Sequence, residues 1–141
     1  VPAMTAHTVS GSCLCSAVTL TVPTEGHIEA CHCGMCRKWG GGPLLALMPT
    51  GKPEINGADN ISSYSSSEWA ERAFCKSCGT HLYYRMKEHN NYAIPAGLFK
   101  DNGSFSMHEQ IFIDKKPDYY DFANDTPRLT QKEVFEKFGV S

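Results

Sequence analysis

The chain has 141 residues, of which 41% are hydrophobic and 20% charged, with a formal net charge of −2. This composition suits a single soluble domain with a modest core. It excludes the basic block that marks a nucleic-acid binder, and no apolar run nears the ~20 residues that cross a bilayer. The N-terminal residues lack the basic-then-apolar plan of a secretory leader, so a cytoplasmic location without membrane or nucleic-acid partners is expected.

In chain order, residues 1–10 are small and polar and are expected to be extended or frayed. Gly11-Ser12-Cys13-Leu14-Cys15 follows. On a regular strand the C-x-C spacing would turn both sulfurs to one face. Ala17 to Val22 alternates with period two and predicts a half-buried strand with Val18, Leu20 and Val22 inward. Pro23-Thr24-Glu25-Gly26 reads as a turn. Ile28 to Cys33 is a second extended stretch that delivers Cys31 and Cys33 together. Gly34-Met35 then curls the backbone so that Cys36 faces the same point. Gly40-Gly41-Gly42-Pro43 is permissive backbone, and Leu44 to Met48 predicts a buried strand.

Pro49 to Gly57 is expected to be loop or edge. Ile61 to Ser65 and Trp69 to Phe74 read as hairpin partners, leading into Cys75-Lys76-Ser77-Cys78-Gly79-Thr80, a zinc knuckle. Leu82 to Met86 and Tyr92 to Phe99 continue as strands, the latter limited by Pro95. Lys100-Asp101-Asn102-Gly103 reads as a turn, and Gln110 to Ile113 as a last short strand. Lys116 to Phe122 is aromatic and irregular, suited to packing over the sheet. Thr130-Gln131-Lys132-Glu133 matches a capping box, so a helix is expected at about 130–138 with Val134, Phe135 and Phe138 on one face. The sum is one mainly β domain over 1–141, with a core at about 11–122 and a short C-terminal helix.

Seven cysteines in a chain without an export plan point to metal ligation rather than a disulfide scaffold. A thiolate is a soft ligand suited to zinc. The count divides as four plus three. Cys13, Cys15, Cys75 and Cys78 make a closed structural zinc that clamps distant segments. Cys31, Cys33 and Cys36 make a second zinc with an open position, the usual plan of a catalytic site. The spacing also permits the knuckle to share a metal with two of the central thiols. A closed second site completed by His32, His81 or His108 is a further alternative, although alternation turns His32 away from its flanking cysteines.

An open thiolate-rich zinc favours an incoming thiol, which binds as thiolate. Held near an aldehyde, that thiolate is a nucleophile with a reduced entropic barrier. Arg37 and Lys38 are candidate holders of an anionic substrate or a developing alkoxide, against the plainer reading of a solvated surface pair. Trp39 reads as core or pocket wall, His27 and His89 as solvated, and Tyr119, Tyr120 and Phe122 as packing groups.

Taken together, the motifs around Cys13/Cys15, Cys31-His32-Cys33-Gly34-Met35-Cys36 and Phe74-Cys75-Lys76-Ser77-Cys78-Gly79-Thr80 resemble the glutathione-dependent formaldehyde-activating enzyme (Gfa) and centromere protein V family. The resemblance runs from about Gly11 to Phe122, and Ile113 to Phe122 looks like the family's closing segment. It implies an Mss4-like β-tent with antiparallel sheets clamped by two zinc ions, in the four-plus-three division above. It also implies a carbon–sulfur lyase-type activity, forming S-hydroxymethylglutathione from glutathione and formaldehyde. The expected partners are therefore a small thiol, glutathione or a relative, and a small aldehyde. Two other functions fit the same residues: a non-catalytic zinc-binding module for a protein partner, and thiol redox chemistry at the central cluster.

Overall fold

The computed structural model describes residues 7–88, 91–100 and 104–138. His89 and most of the turn expected at 100–103 lie outside them. Ten strands are described: β1 (His7–Ser12), β2 (Thr19–Cys31), β3 (Leu44–Pro49), β4 (Glu54–Asn56), β5 (Ile61–Ser65), β6 (Ala70–Cys75), β7 (His81–Met86), β8 (Asn91–Pro95), β9 (Ser106–Ile111) and β10 (Arg128–Leu129). Two helices, α1 (Gly34–Gly40) and α2 (Gln131–Phe138), complete the regular structure. The mainly β class and the C-terminal helix agree with the sequence reading. Neither helix is long and apolar enough to cross a membrane.

β2 is the axis of the fold. Its first half lies between β1 and β4, and its second half between β3 and β9. The main path runs β10-β9-β2-β3-β8-β7-β6-β5, with β9 parallel to β2. Val18, Leu20, Val22 and Ile28 alternate into a core that also holds Leu47, Leu82, Ile94 and Phe99. A strand paired on both sides and covered on both faces buries consecutive residues. Glu29, Ala30 and Cys31 are all buried accordingly.

The turn expected at Pro23–Gly26 is instead a bulge within β2. Buried and part-buried residues alternate straight through it, while the register against β3 shifts between Thr24 and Ile28. The turn signals are real but local: Gly26 has φ +83°. Thr24 Oγ1 accepts from the Gly26 N–H at 3.0 Å and donates to the Met48 carbonyl at 2.8 Å. The hydroxyl thus satisfies groups that the bulge removes from the ladder, and the strand goes on.

Of the residues 1–10 expected to be extended or frayed, His7 to Ser10 are extended, as part of β1, which pairs with β2 over its whole length. Two smaller corrections follow. Cys13 and Cys15 sit in a turn rather than on a strand. The stretch expected to run to Phe99 stops at Pro95, whose missing N–H ends the ladder, and a 3-10 turn spans Ala96–Leu98. The capping box is present: the Thr130 N–H donates to Glu133 Oε1 at 2.9 Å, and the Glu133 N–H donates to Thr130 Oγ1 at 3.2 Å.

Candidate metal centres and the cavity beside one of them

The first cysteine group joins two sequence-distant turns. Cys13 and Cys15 lie after β1, Cys75 ends β6, and Cys78 lies in the turn before β7. Their four sulfurs all stand within 4.8 Å of one another. The Cys13–Cys15 and Cys15–Cys75 separations are 3.6 and 3.7 Å. A tetrahedron with zinc–sulfur bonds of about 2.3 Å has edges of about 3.8 Å, so the donors fit a tetrahedral ion. Gly79, at φ +77°, lets the knuckle close, and its N–H bonds the Cys75 carbonyl at 2.9 Å. The Leu14 N–H donates to Thr80 Oγ1 at 3.1 Å and ties the two turns together. Hydrogen bonds with Thr80 hold Cys78 down at about 5, which favours the thiolate a metal needs.

The second group is built from the end of β2 and the start of α1. Cys31 is the last residue of β2. Cys33 is the N-cap of α1, and its sulfur accepts from the Cys36 N–H at 3.3 Å. The step expected at Gly34-Met35 is therefore the first turn of a helix, which brings Cys36 back over Cys33. Gly41, at φ +86°, ends the helix with its N–H on the Arg37 carbonyl at 2.7 Å. Cys31 and Cys36 sulfurs are 3.3 Å apart, and all three lie within 4.8 Å of one another. Hydrogen bonds with Cys31 and Cys36 hold Cys33 far below the usual thiol range, whereas the same contacts and burial push Cys31 well above it. One thiolate thus opposes the next, a conflict that a cation between them resolves.

Among the described residues no fourth ligand joins this group. His32 is fully buried, with Nδ1 2.7 Å from the Tyr120 hydroxyl and Nε2 2.9 Å from Gln110 Oε1. Both ring nitrogens are committed. Phe122 stands 5.8 Å from the same ring, while Tyr119 is largely exposed. His81 stacks on Trp39 at 4.0 Å, and His108 on His27 at 4.4 Å.

Cys31, Cys33 and Cys36 line a cavity of about 650 Å³, within the range of small-molecule sites. The first cysteine group does not line it. Arg37 and Lys38 are also absent from its walls: Arg37 Nε donates to the His32 carbonyl at 3.0 Å, and Lys38 is exposed. The cation at the cluster is Arg72, on β6, which the sequence reading missed. Its Nη1 and Nη2 each lie 3.7 Å from Cys36 Sγ. The guanidinium sits 5.1 Å from the Trp39 ring centre and 5.0 Å from that of Tyr84. It is buried, and its Nε has no hydrogen-bond partner among the described residues. One signal did exist: period two places Arg72 on the inward face shared with Ala70. Glu29, two residues before Cys31, also lines the cavity; burial and then Glu109 push its carboxyl up to about 8.

The family model for glutathione-dependent formaldehyde-activating enzymes matches residues 8–115. The chain belongs to this family. It is 43% identical over 128 residues to an uncharacterised lyase of Schizosaccharomyces pombe, covering 89% of this chain and 93% of that protein. It is 34% identical over 89 residues to a Podospora anserina protein provisionally named glutathione-dependent formaldehyde-activating enzyme, covering 58% of this chain and 42% of that one. A crystal structure of a Rhodobacter sphaeroides protein shares the fold, with a TM-score of 0.56 at 22% identity over 64% of this chain and 87% of that one.

Proposed function

We propose that this member of the family is a zinc-dependent carbon–sulfur lyase-type enzyme. It joins glutathione or a related thiol to formaldehyde or another small aldehyde, or releases the two from their adduct. The observation that carries the reading is the difference between the two thiol groups. The four-sulfur group stands apart from the cavity, as a structural clamp would. The three-sulfur group lines the cavity and has no fourth ligand among the described residues, as a substrate site would. The donor sets suit two zinc ions, with Cys13, Cys15, Cys75 and Cys78 holding one and Cys31, Cys33 and Cys36 the other.

A zinc ion at the second group would supply the charge that keeps an incoming thiol as thiolate. The residues around it supply the rest. Arg72 opposes the negative charge that gathers as another sulfur arrives, in a buried setting where that attraction is little screened. The His32 hydrogen bonds to Gln110 and Tyr120 fix the backbone between two of the ligands. A cavity beside the three thiols would hold an aldehyde close to the bound sulfur.

The test is zinc content of the wild type, Cys33→Ser and Cys78→Ser, combined with glutathione titration. Two zinc ions in the wild type, one in Cys33→Ser, and glutathione binding lost in Cys33→Ser support the reading. Two zinc ions in a protein indifferent to thiols would contradict it and favour a non-catalytic zinc module. One zinc ion in both the wild type and Cys33→Ser would mean that the central group is not a metal site.

A further inference from the structure

A one-carbon aldehyde leaves most of the cavity unused. Beyond the thiols the space continues between β3, β7, β8 and α2, and Met48, Met86, Phe112 and Phe135 form much of its wall. Ala46 and Val134, both buried, lie on the same lining. An apolar wall of this kind cannot satisfy the carboxylates, ammonium and amides of a peptide thiol. The polar lining groups Ser67, Asn91, Lys115 and Gln131 can, and Asn91 and Lys115 are exposed. The lining therefore has a polar, accessible part suited to the thiol's ends and an apolar part, buried at Ala46 and Val134 and half-buried elsewhere, that formaldehyde has no group to cover.

We propose, resting on the thiol–aldehyde reading above, that the aldehyde handled here carries an apolar substituent, aryl or branched alkyl, seated against Met48, Met86 and Phe135. In the addition, the thiol sulfur bonds to the carbonyl carbon. The carbonyl π pair moves to oxygen, which takes up the proton released from the thiol. The reverse step breaks the carbon–sulfur bond and returns the proton. No oxidant or reductant enters. Burial of a ring or branched chain on this wall supplies binding energy that a one-carbon aldehyde does not have.

The test uses zinc-loaded wild-type protein and two stable thioethers that mimic the adduct, S-methylglutathione and S-benzylglutathione, compared by isothermal titration calorimetry. The benzyl conjugate is expected to bind at least about tenfold tighter, from burial of its ring. Ala93→Phe, which adds a ring to the cavity wall on β8, is expected to cut that ratio to under about threefold. The wild-type comparison decides the matter even if the variant fails to fold. Equal binding of the two conjugates overturns this inference and leaves the thiol reading standing. Binding of neither, with free glutathione still bound, overturns this inference alone; failure of free glutathione to bind as well overturns both.

Discussion

Replacing Arg72 with methionine isolates the electrostatic part of the proposed mechanism. With a divalent ion on three thiolates the cluster carries one net negative charge, and a thiol arriving as thiolate adds a second. Arg72 is the buried cation that opposes it, 3.7 Å from Cys36 Sγ. At that distance and an effective dielectric of about 20, the attraction is about 4 kcal/mol. An incoming sulfur stands somewhat farther off than Cys36, so about 2–4 kcal/mol is at stake, or roughly 30- to 1000-fold in affinity. Glutathione titrated into zinc-loaded Arg72→Met should bind weaker by that factor, with both zinc ions retained. Arg72→Lys should fall between, since it keeps the charge but loses the guanidinium held over the Trp39 and Tyr84 rings. Thermal stability of the zinc-loaded protein should fall, because the buried, negatively charged cluster loses the cation that opposes it. Affinity within about threefold of wild type would refute the reasoning.

Two further outcomes follow from the geometry. Glu29 is pushed up to about 8 by burial and by Glu109, whereas Glu109 is held low by its hydrogen bond with Glu29 and by Lys137. A raised carboxyl contributes stability that is complete below its unfolded value and is lost as pH rises through about 8. Glu109 works in the opposite sense, and its contribution disappears as pH falls through its lowered value. Urea midpoints measured from pH 5 to 9 should therefore fall with pH in the wild type and flatten in Glu29→Gln; an unchanged slope would contradict the assignment. Separately, a Cβ on Gly11 would collide with the Leu98 carbonyl oxygen, a contact with backbone that cannot yield cheaply. Gly11→Ala should cost about 1–3 kcal/mol in chemical denaturation of the zinc-loaded protein, and a neutral result would show that β1 shifts freely.

The sequence made some features plain because their signals are local. The hairpin of β5 and β6, the knuckle at Cys75–Cys78 and the capping box at Thr130 each lie within a few residues. Spacing and the odd count favoured the four-plus-three division of the cysteines over the alternatives, and the structure groups their sulfurs in that way. Other features depend on partners that are distant along the chain. Arg72 reaches Cys36 across 36 residues, and His32 meets Gln110 and Tyr120 across 78 and 88. Arg37 and Lys38 drew attention by adjacency alone, yet helix α1 turns both away from the cavity. At Pro23–Gly26, local turn chemistry lost to pairing of β2 on both sides, and the Thr24 hydroxyl supplied the missing bonds.

Zinc X-ray absorption on the wild-type protein, with and without glutathione, tests the central claim most directly. A closed four-thiolate site and an open three-thiolate site average about 3.5 sulfurs per zinc, and a thiol bound at the open one raises the mean to about 4. That rise, absent in Cys33→Ser, is the predicted result. A mean that stays at about 3.5 under saturating glutathione would contradict the account.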